Sequence, residues 1–376
     1  IYADIYKEWY DYDKKEWANA VVLNSGVTKK VGDIITEDEI ALWYVWIPRY
    51  TYTIFNGNNG SVDPLEIQIK FESGTNSSGT VECVDAVSGS GTSSETCTDT
   101  TNGSIINGTS TYTHPAFTFG TQELTGFWVG KFEISGSTSQ ITIKPNITSL
   151  RNQTVSSFFT AIQNMSTTYS LNGDSHMIKN MEWGAVAYLS HSKYGTCTNG
   201  KCVEVGINNN SGYITGCGTQ PGSSQSSSCS AYNTTTGMLA STTKNIYGIY
   251  DMSGGTYEYV MGSLVNSNGS FYSNSTGFSA APDSKYFDSY TYNASSNITH
   301  GRGKLGDATK ETLKTFASDS GGWYSDLSYF PFSNASWSFR GGSYLEGAGS
   351  GVFLFSGDLG ASYSHFSTRA ILVSNS

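Results

Sequence analysis

Apolar and polar positions alternate over short distances along much of this chain, and Gly/Ser/Thr/Asn-rich segments separate the alternating stretches. A long aromatic and β-branched run, Trp43-Tyr-Val-Trp-Ile-Pro-Arg-Tyr-Thr-Tyr-Thr-Ile-Phe55, predicts a strand, with Pro48 placing it at an edge or a bulge. Residues 65–71, 126–134, 141–145, 337–344, 351–355 and 370–373 predict further short strands. Two segments have apolar residues near helical spacing. One is 155–165. The other is 176–190, where Met177, Met181, Val186 and Leu189 mostly share a face and Asp174 or Ser175 can cap. Residues 1–40 read as a small β unit of their own, with a candidate capping box at Thr36–Glu39. No period of 20 to 50 residues repeats, which excludes a solenoid.

The stretch 245–262, Asn-Ile-Tyr-Gly-Ile-Tyr-Asp-Met-Ser-Gly-Gly-Thr-Tyr-Glu-Tyr-Val-Met-Gly, is the densest in structural signals. Ile246, Ile249 and Met252 are candidate core residues, and Gly254-Gly255 allows a bend that residues with a Cβ resist. Tyr257, Tyr259 and Met261 then alternate with Glu258 and Val260, predicting a strand. Asp251 and Glu258 bracket the bend. Either they hold a cation together with the turn carbonyls, as calcium prefers, or Asp251 satisfies turn amides and Glu258 meets a buried Arg.

Composition narrows the class. Only 14% of the 376 residues are charged, against 42 Gly and 25 Tyr, which suits a β- and loop-rich extracellular protein and not a helical bundle. A net charge of −10 with only 21 Lys+Arg argues against nucleic acid as a partner. No apolar run is long enough to span a membrane. The chain starts at Ile1, so a signal or anchor segment is expected upstream. The cysteines fall in three close pairs, Cys83 with Cys97, Cys197 with Cys202 and Cys217 with Cys229. They read as disulfides that staple polar loops at 73–112 and 195–235. The spacings do not suit zinc, and no GxSxG, HExxH or P-loop motif is present.

Taken in order, several fragments resemble the formylglycine-generating-enzyme (sulfatase-modifying factor) family. They are Trp46-Ile-Pro48, Phe127-Trp-Val-Gly-Lys-Phe-Glu133, Asn180-Met-Glu-Trp-Gly-Ala-Val-Ala187, the 245–259 stretch, Arg340-Gly-Gly-Ser-Tyr344 and Thr368-Arg-Ala370. The resemblance covers roughly residues 42–376. It implies an α+β, C-type-lectin-like fold, loop-rich with short strands and two helices, over residues 41–376. It also implies structural Ca2+ held by the Asp251 and Glu258 side chains and the Gly254 and Thr256 carbonyls, although Gly255 stands where the family has Asn. The oxidase activity is not carried over, because the family's cysteines after the Arg-Gly-Gly-Ser motif are missing from residues 343–376.

Residues 337–369 resemble more narrowly the variable proteins of diversity-generating retroelements: Trp337, Arg340-Gly-Gly, Gly347, Gly351-Val-Phe353 and Phe355, then a Ser-rich stretch and Arg369. This resemblance implies a ligand-binding face built from Tyr344, Leu345, Glu346, Phe355, Ser356, Asp358, Ser362, Tyr363, Ser364 and His365. Tyr and Ser suit such a face, since Tyr offers large contact area at low entropic cost. Trp337 and Arg340 would be scaffold, with Arg340 pairing a buried acid such as Glu258. The expected function is non-catalytic binding of a protein or glycan on another cell or host surface, by a protein displayed on a bacterial or phage surface. The alternatives are a subunit of a surface filament or pilus and, more remotely, a formylglycine-generating-type oxidase.

Overall fold

The computed structural model describes residues 9–53, 63–78, 81–84, 96–99, 111–291, 303–314 and 321–374, with the backbone alone for 81–84 and 96–99. The frame consists of strands β1 (Asn19–Leu23), β2 (Ile40–Pro48) and β3 (Gly126–Gly130), helix α1 (Val155–Gln163), strand β4 (Gly173–Met177) and helix α2 (Asn180–Ser190). It continues with β5 (Tyr257–Val265), β6 (Asp288–Thr291), β7 (Trp337–Arg340), β8 (Phe355–Asp358), β9 (Phe366–Ser367) and β10 (Ala370–Ser374). The class is mixed α+β, loop-rich, with many short strands, as expected.

One five-stranded sheet has the order β1-β2-β3-β10-β4, with every neighbouring pair antiparallel. The aromatic and β-branched side chains of β2 suit this interior position, and Pro48 falls at the strand's last residue, where a missing amide costs little. The second sheet runs β6-β5-β7-β8, and β9 adds to β5 at Tyr257 and Glu258. The chain thus closes its first sheet with its last strand, setting Leu372 opposite Trp128 and Ala370 opposite Met177.

Every residue of α2 is buried, so this helix is a core element with no solvent face. It starts later than its sequence suggests. Residues 173–177 pair with β10 as a strand, and Glu182 reaches back to accept the Lys179 amide at 2.8 Å, setting the first turn. Met177 and Met181 are four apart and fit a helical face, but sheet pairing claims the first of them. Likewise the expected strand at 351–355 forms four residues on. Gly351, Val352, Phe353 and Leu354 make a buried turn whose Phe353 amide donates to Asp326 at 3.1 Å. Ile246, an expected core residue, is 40% exposed, while Ile249 and Met252 are fully buried.

Residues 9–40 join this frame through β1. The Trp17 indole donates to the Tyr194 carbonyl at 2.8 Å, and Lys15 Nζ donates to the Cys197 carbonyl at 2.9 Å. Disulfides Cys197–Cys202 and Cys217–Cys229 form as expected. Cys83 and Cys97 face each other in backbone register, and their side chains lie outside the described residues. No helix among the described residues is long and apolar enough to cross a membrane.

One buried acid gives the fold a pH signature. Glu311 is fully buried. It accepts the Tyr188 hydroxyl at 2.6 Å and the Gly306 amide at 2.6 Å, with Tyr52 at 3.2 Å. Burial pushes its carboxyl up to about 8. The folded state therefore holds a proton that the unfolded chain releases near the usual carboxylate value. This stabilisation is complete below about pH 4.3 and is lost as pH rises to about 8, falling by about 1.4 kcal/mol for every pH unit in between. His114 and His191, both pushed down to about 3 by burial, slope the other way below their ordinary value, and Lys131, pushed down to about 7, does so above it. The informative quantity is therefore the difference from Glu311→Gln. Urea unfolding between pH 6 and 8 should show wild type losing stability relative to that variant, and parallel curves would refute the assignment.

Candidate ligand-binding face

The Gly254-Gly255 bend ties the two C-terminal loops to the core. Gly254 and Gly255 have φ of +77° and +73°, and a Cβ on Gly255 would lie 2.6 Å from Glu133 Oε1. The Gly255 carbonyl accepts the Tyr344 amide at 3.1 Å, and two residues on the Tyr257 amide donates to the His365 carbonyl at 3.1 Å. One short stretch therefore anchors both loops that carry the expected binding residues.

Beneath it lie three buried carboxylates: Glu133, Asp251 and Glu258. Asp251 accepts Asn208 Nδ2 at 2.8 Å and the Gly216 amide at 2.9 Å. Glu258 is clasped by Arg369, Oε1 to Nη2 at 2.5 Å and Oε2 to Nε at 3.2 Å. Glu133 accepts the Thr256 amide at 2.9 Å and the Ser149 hydroxyl. Burial together with Asp251 and Glu258 raises its carboxyl far above the usual range. Protein donors thus satisfy both acids expected to bind calcium, and a guanidinium lies against Glu258. In this arrangement the Asp251 and Glu258 carboxylates are taken up by protein donors and not turned together toward a cation.

The expected pairing of Arg340 with Glu258 is corrected. The two face each other in register across β5 and β7, but Arg340 donates to the Ala308 carbonyl at 2.9 Å and lies 5.9 Å from the Trp183 ring and 5.7 Å from Phe355. Trp337 is scaffold as expected, fully buried with its indole donating to the Val260 carbonyl at 2.8 Å.

The loop after β7 turns at Gly341 and Gly342, both at positive φ. Glu346 turns back to accept the Ser343 amide at 2.8 Å and also takes the Tyr257 hydroxyl. This leaves Leu345 59% exposed and Tyr344 half-buried. The loop between β8 and β9 is held by the segment before α1: the Asn152 amide donates to the Tyr363 carbonyl at 3.1 Å and the Val155 amide to the Gly360 carbonyl at 3.2 Å. Ser362 and Ser364 are exposed, and Tyr363 and His365 are half-buried with ring centres 5.6 Å apart. Two expected contact residues are corrected. Phe355 and Ser356 are buried, because β8 pairs with β7 and Phe355 packs with Leu264, Tyr290, Leu313 and Phe330. Asp358 is half-buried and accepts the Tyr259 hydroxyl at 2.9 Å.

Three residues outside the C-terminal segment complete the face. Tyr213, just before the Cys217–Cys229 disulfide loop, meets Tyr344 edge-on with ring centres 4.9 Å apart. It sits at φ +55°, a conformation uncommon for a bulky residue and typical of functional sites. The Arg151 guanidinium lies 4.1 Å over the Tyr213 ring and donates to the Ser364 carbonyl. Tyr257 lies 5.6 Å from His365. The side chains close a circuit: Tyr344, Tyr213, Arg151, the 362–365 loop, Tyr257 and Glu346. Burial pushes the Tyr213 hydroxyl up to about 12 and raises the Glu346 carboxyl above its ordinary value. No local sequence pattern marked Arg151 or Tyr213 for this role.

Elsewhere, His191, Cys197 and Cys202 lie close enough to suggest a metal group, but the two sulfurs are bonded to each other.

These features define a class: an α+β scaffold whose cross-braced loops present an aromatic, hydroxyl-rich surface. No protein family and no curated protein matches the chain. Among solved structures it is similar to variants of the Major Tropism Determinant. The I1 variant has TM-score 0.33 and 11% identity over 96% of this chain and 87% of that chain. The P3c variant has TM-score 0.31 and 11% identity over the same shares. The U1 variant has TM-score 0.29 and 12% identity over 91% of this chain and 73% of that one. Similarity of that order does not extend to individual residues or to a ligand.

Proposed function

We propose that this protein is a non-catalytic, ligand-binding surface protein, an adhesin or receptor-binding module on a C-type-lectin-like scaffold. It presents Tyr344, Leu345, Glu346, Ser362, Tyr363, Ser364 and His365 to a protein or glycan on another cell. One observation carries this reading. The backbones of both loops are pinned to the Gly254–Tyr257 stretch and to residues 152–155, while their side chains remain partly or fully accessible. Preorganised loops lose little entropy on binding, and side chains at such positions can be exchanged without disturbing the core. The described cysteines form local disulfides, which supports binding over oxidase chemistry.

The test is adsorption of labelled protein to a panel of bacterial cells and immobilised glycans. Wild type should bind at least one surface, and Tyr344→Ser combined with Tyr363→Ser should weaken that binding about tenfold or more while the protein keeps a cooperative thermal transition lowered by only a few degrees. Undiminished binding by the double variant would refute the reading.

A further inference from the structure

We infer that the face takes a carboxylate-bearing saccharide, with Arg151 gripping the carboxylate and the rings of Tyr213 and Tyr344 lying against the sugar. The inference rests on the proposed binding role and adds the chemistry of the ligand.

Charge is the first argument. The chain carries a net −10, yet the cation on this face has no carboxylate partner among the described residues. Arg49 is paired with Glu72 and Arg369 with Glu258, and Arg340, which has no ion pair, is sealed in the core, so among the described arginines Arg151 alone combines the lack of a carboxylate with access to solvent. Arg151 spends one donor on the Ser364 carbonyl, and its buried Nε has no acceptor. A guanidinium held in place by its neighbours and free of any protein carboxylate offers an incoming carboxylate a planar, charge-assisted hydrogen-bonding partner. The nearby acids do not compete. Glu346 is occupied by Tyr257, Ser343 and Ser350, and Asp358 by Tyr259 and the Leu359 amide.

The surroundings of Arg151 are the second argument. Stacking on Tyr213 orients the guanidinium plane, and Tyr213 is itself held by hydrogen bonds from Ser149 to its carbonyl. Tyr213, Tyr344, Tyr363, Ser362 and Ser364 supply hydroxyls beside ring surfaces, a combination that suits the mixed polar and C–H faces of a pyranose. Leu345 is the one large apolar side chain strongly exposed here among the described residues, whereas a protein partner would call for a broader apolar centre.

Titration calorimetry tests this with sialyllactose and an oligogalacturonide as acidic probes, lactose as the neutral probe and a glutamate-rich peptide as control. At least one acidic sugar should bind about tenfold tighter than lactose. Arg151→Gln should remove that preference, Arg151→Lys should retain part of it, and the melting temperature should stay within a degree or so of wild type. Equal affinity for acidic and neutral sugars, binding of the peptide alone, or no sugar binding at millimolar concentration would each overturn the inference. Cell adsorption that still depends on Tyr344 and Tyr363 would leave the binding role standing. Loss of that dependence as well would remove both.

Discussion

Replacing Arg369 with Met is expected to cost about 3–5 kcal/mol of folding stability, because it strands a buried carboxylate. Both Glu258 oxygens are held by Arg369, and both residues are fully buried. The same guanidinium donates to the Gly130 carbonyl at 2.8 Å and the Tyr250 carbonyl at 2.9 Å, so one side chain ties β3, β5 and the start of β10 together. Removing it leaves Glu258 to share its site with Asp251 and Glu133, with no cation to offset them. Glu258 can escape by taking a proton, so the penalty should shrink as pH falls from 8 towards 5. The double variant Arg369→Met, Glu258→Leu should recover part of the loss, since replacing the whole pair is less harmful than removing half of it. Urea unfolding of the two variants at two pH values checks this. A loss below about 1 kcal/mol for the single variant would show that the pair does not hold these strands.

A second substitution should reverse an ordinary expectation. Glycine inside a helix normally costs about 1 kcal/mol relative to alanine, so Gly184→Ala in α2 ought to stabilise. In this structure a Cβ at 184 would lie 1.8 Å from the Gly306 carbonyl oxygen and 3.0 Å from the Asp307 carbonyl carbon. Both are backbone atoms and cannot rotate away. The 304–307 segment could retreat only by giving up the Gly306 amide bond to Glu311 at 2.6 Å and the His114 contact to the Gly306 carbonyl at 3.0 Å. Gly184→Ala is therefore expected to destabilise by about 3 kcal/mol, at the upper end of overpacking costs. A raised melting temperature would sink the assignment.

Both substitutions act in the buried core and not on the candidate face. Glu258 lies next to Tyr257, whose amide holds the His365 carbonyl. Loosening the Arg369 pair should therefore weaken ligand capture as well as stability, whereas changes at Tyr344 or Tyr363 should affect capture far more than stability. This separation follows from a rigid frame carrying exposed side chains, and it distinguishes scaffold positions from contact positions experimentally.

Local chemistry in the sequence determined a good deal. Aromatic and β-branched runs between polar turns marked β2, β3, β7 and β10, period-2 alternation marked β5, the glycine pair marked the bend at 254–255, and close cysteine spacing marked the stapled hairpin and loop. Weighing Asp251 and Glu258 as acids that meet turn amides and a buried Arg described the geometry found, but the sequence could not say which arginine. That choice belonged to the tertiary structure, and it fell on Arg369 because β9 brings the C-terminal end alongside β5. The same is true of Phe355 and Ser356, which the resemblance to retroelement variable proteins placed on the binding face but whose pairing with β7 buries them. It is true as well of Arg151 and Tyr213, which meet the 344 and 364 loops across long stretches of chain. Periodicity and turn chemistry act over a few residues, so the sequence can specify elements and bends. Which distant side chains converge depends on sheet order and loop docking, and those are settled only when the whole core packs.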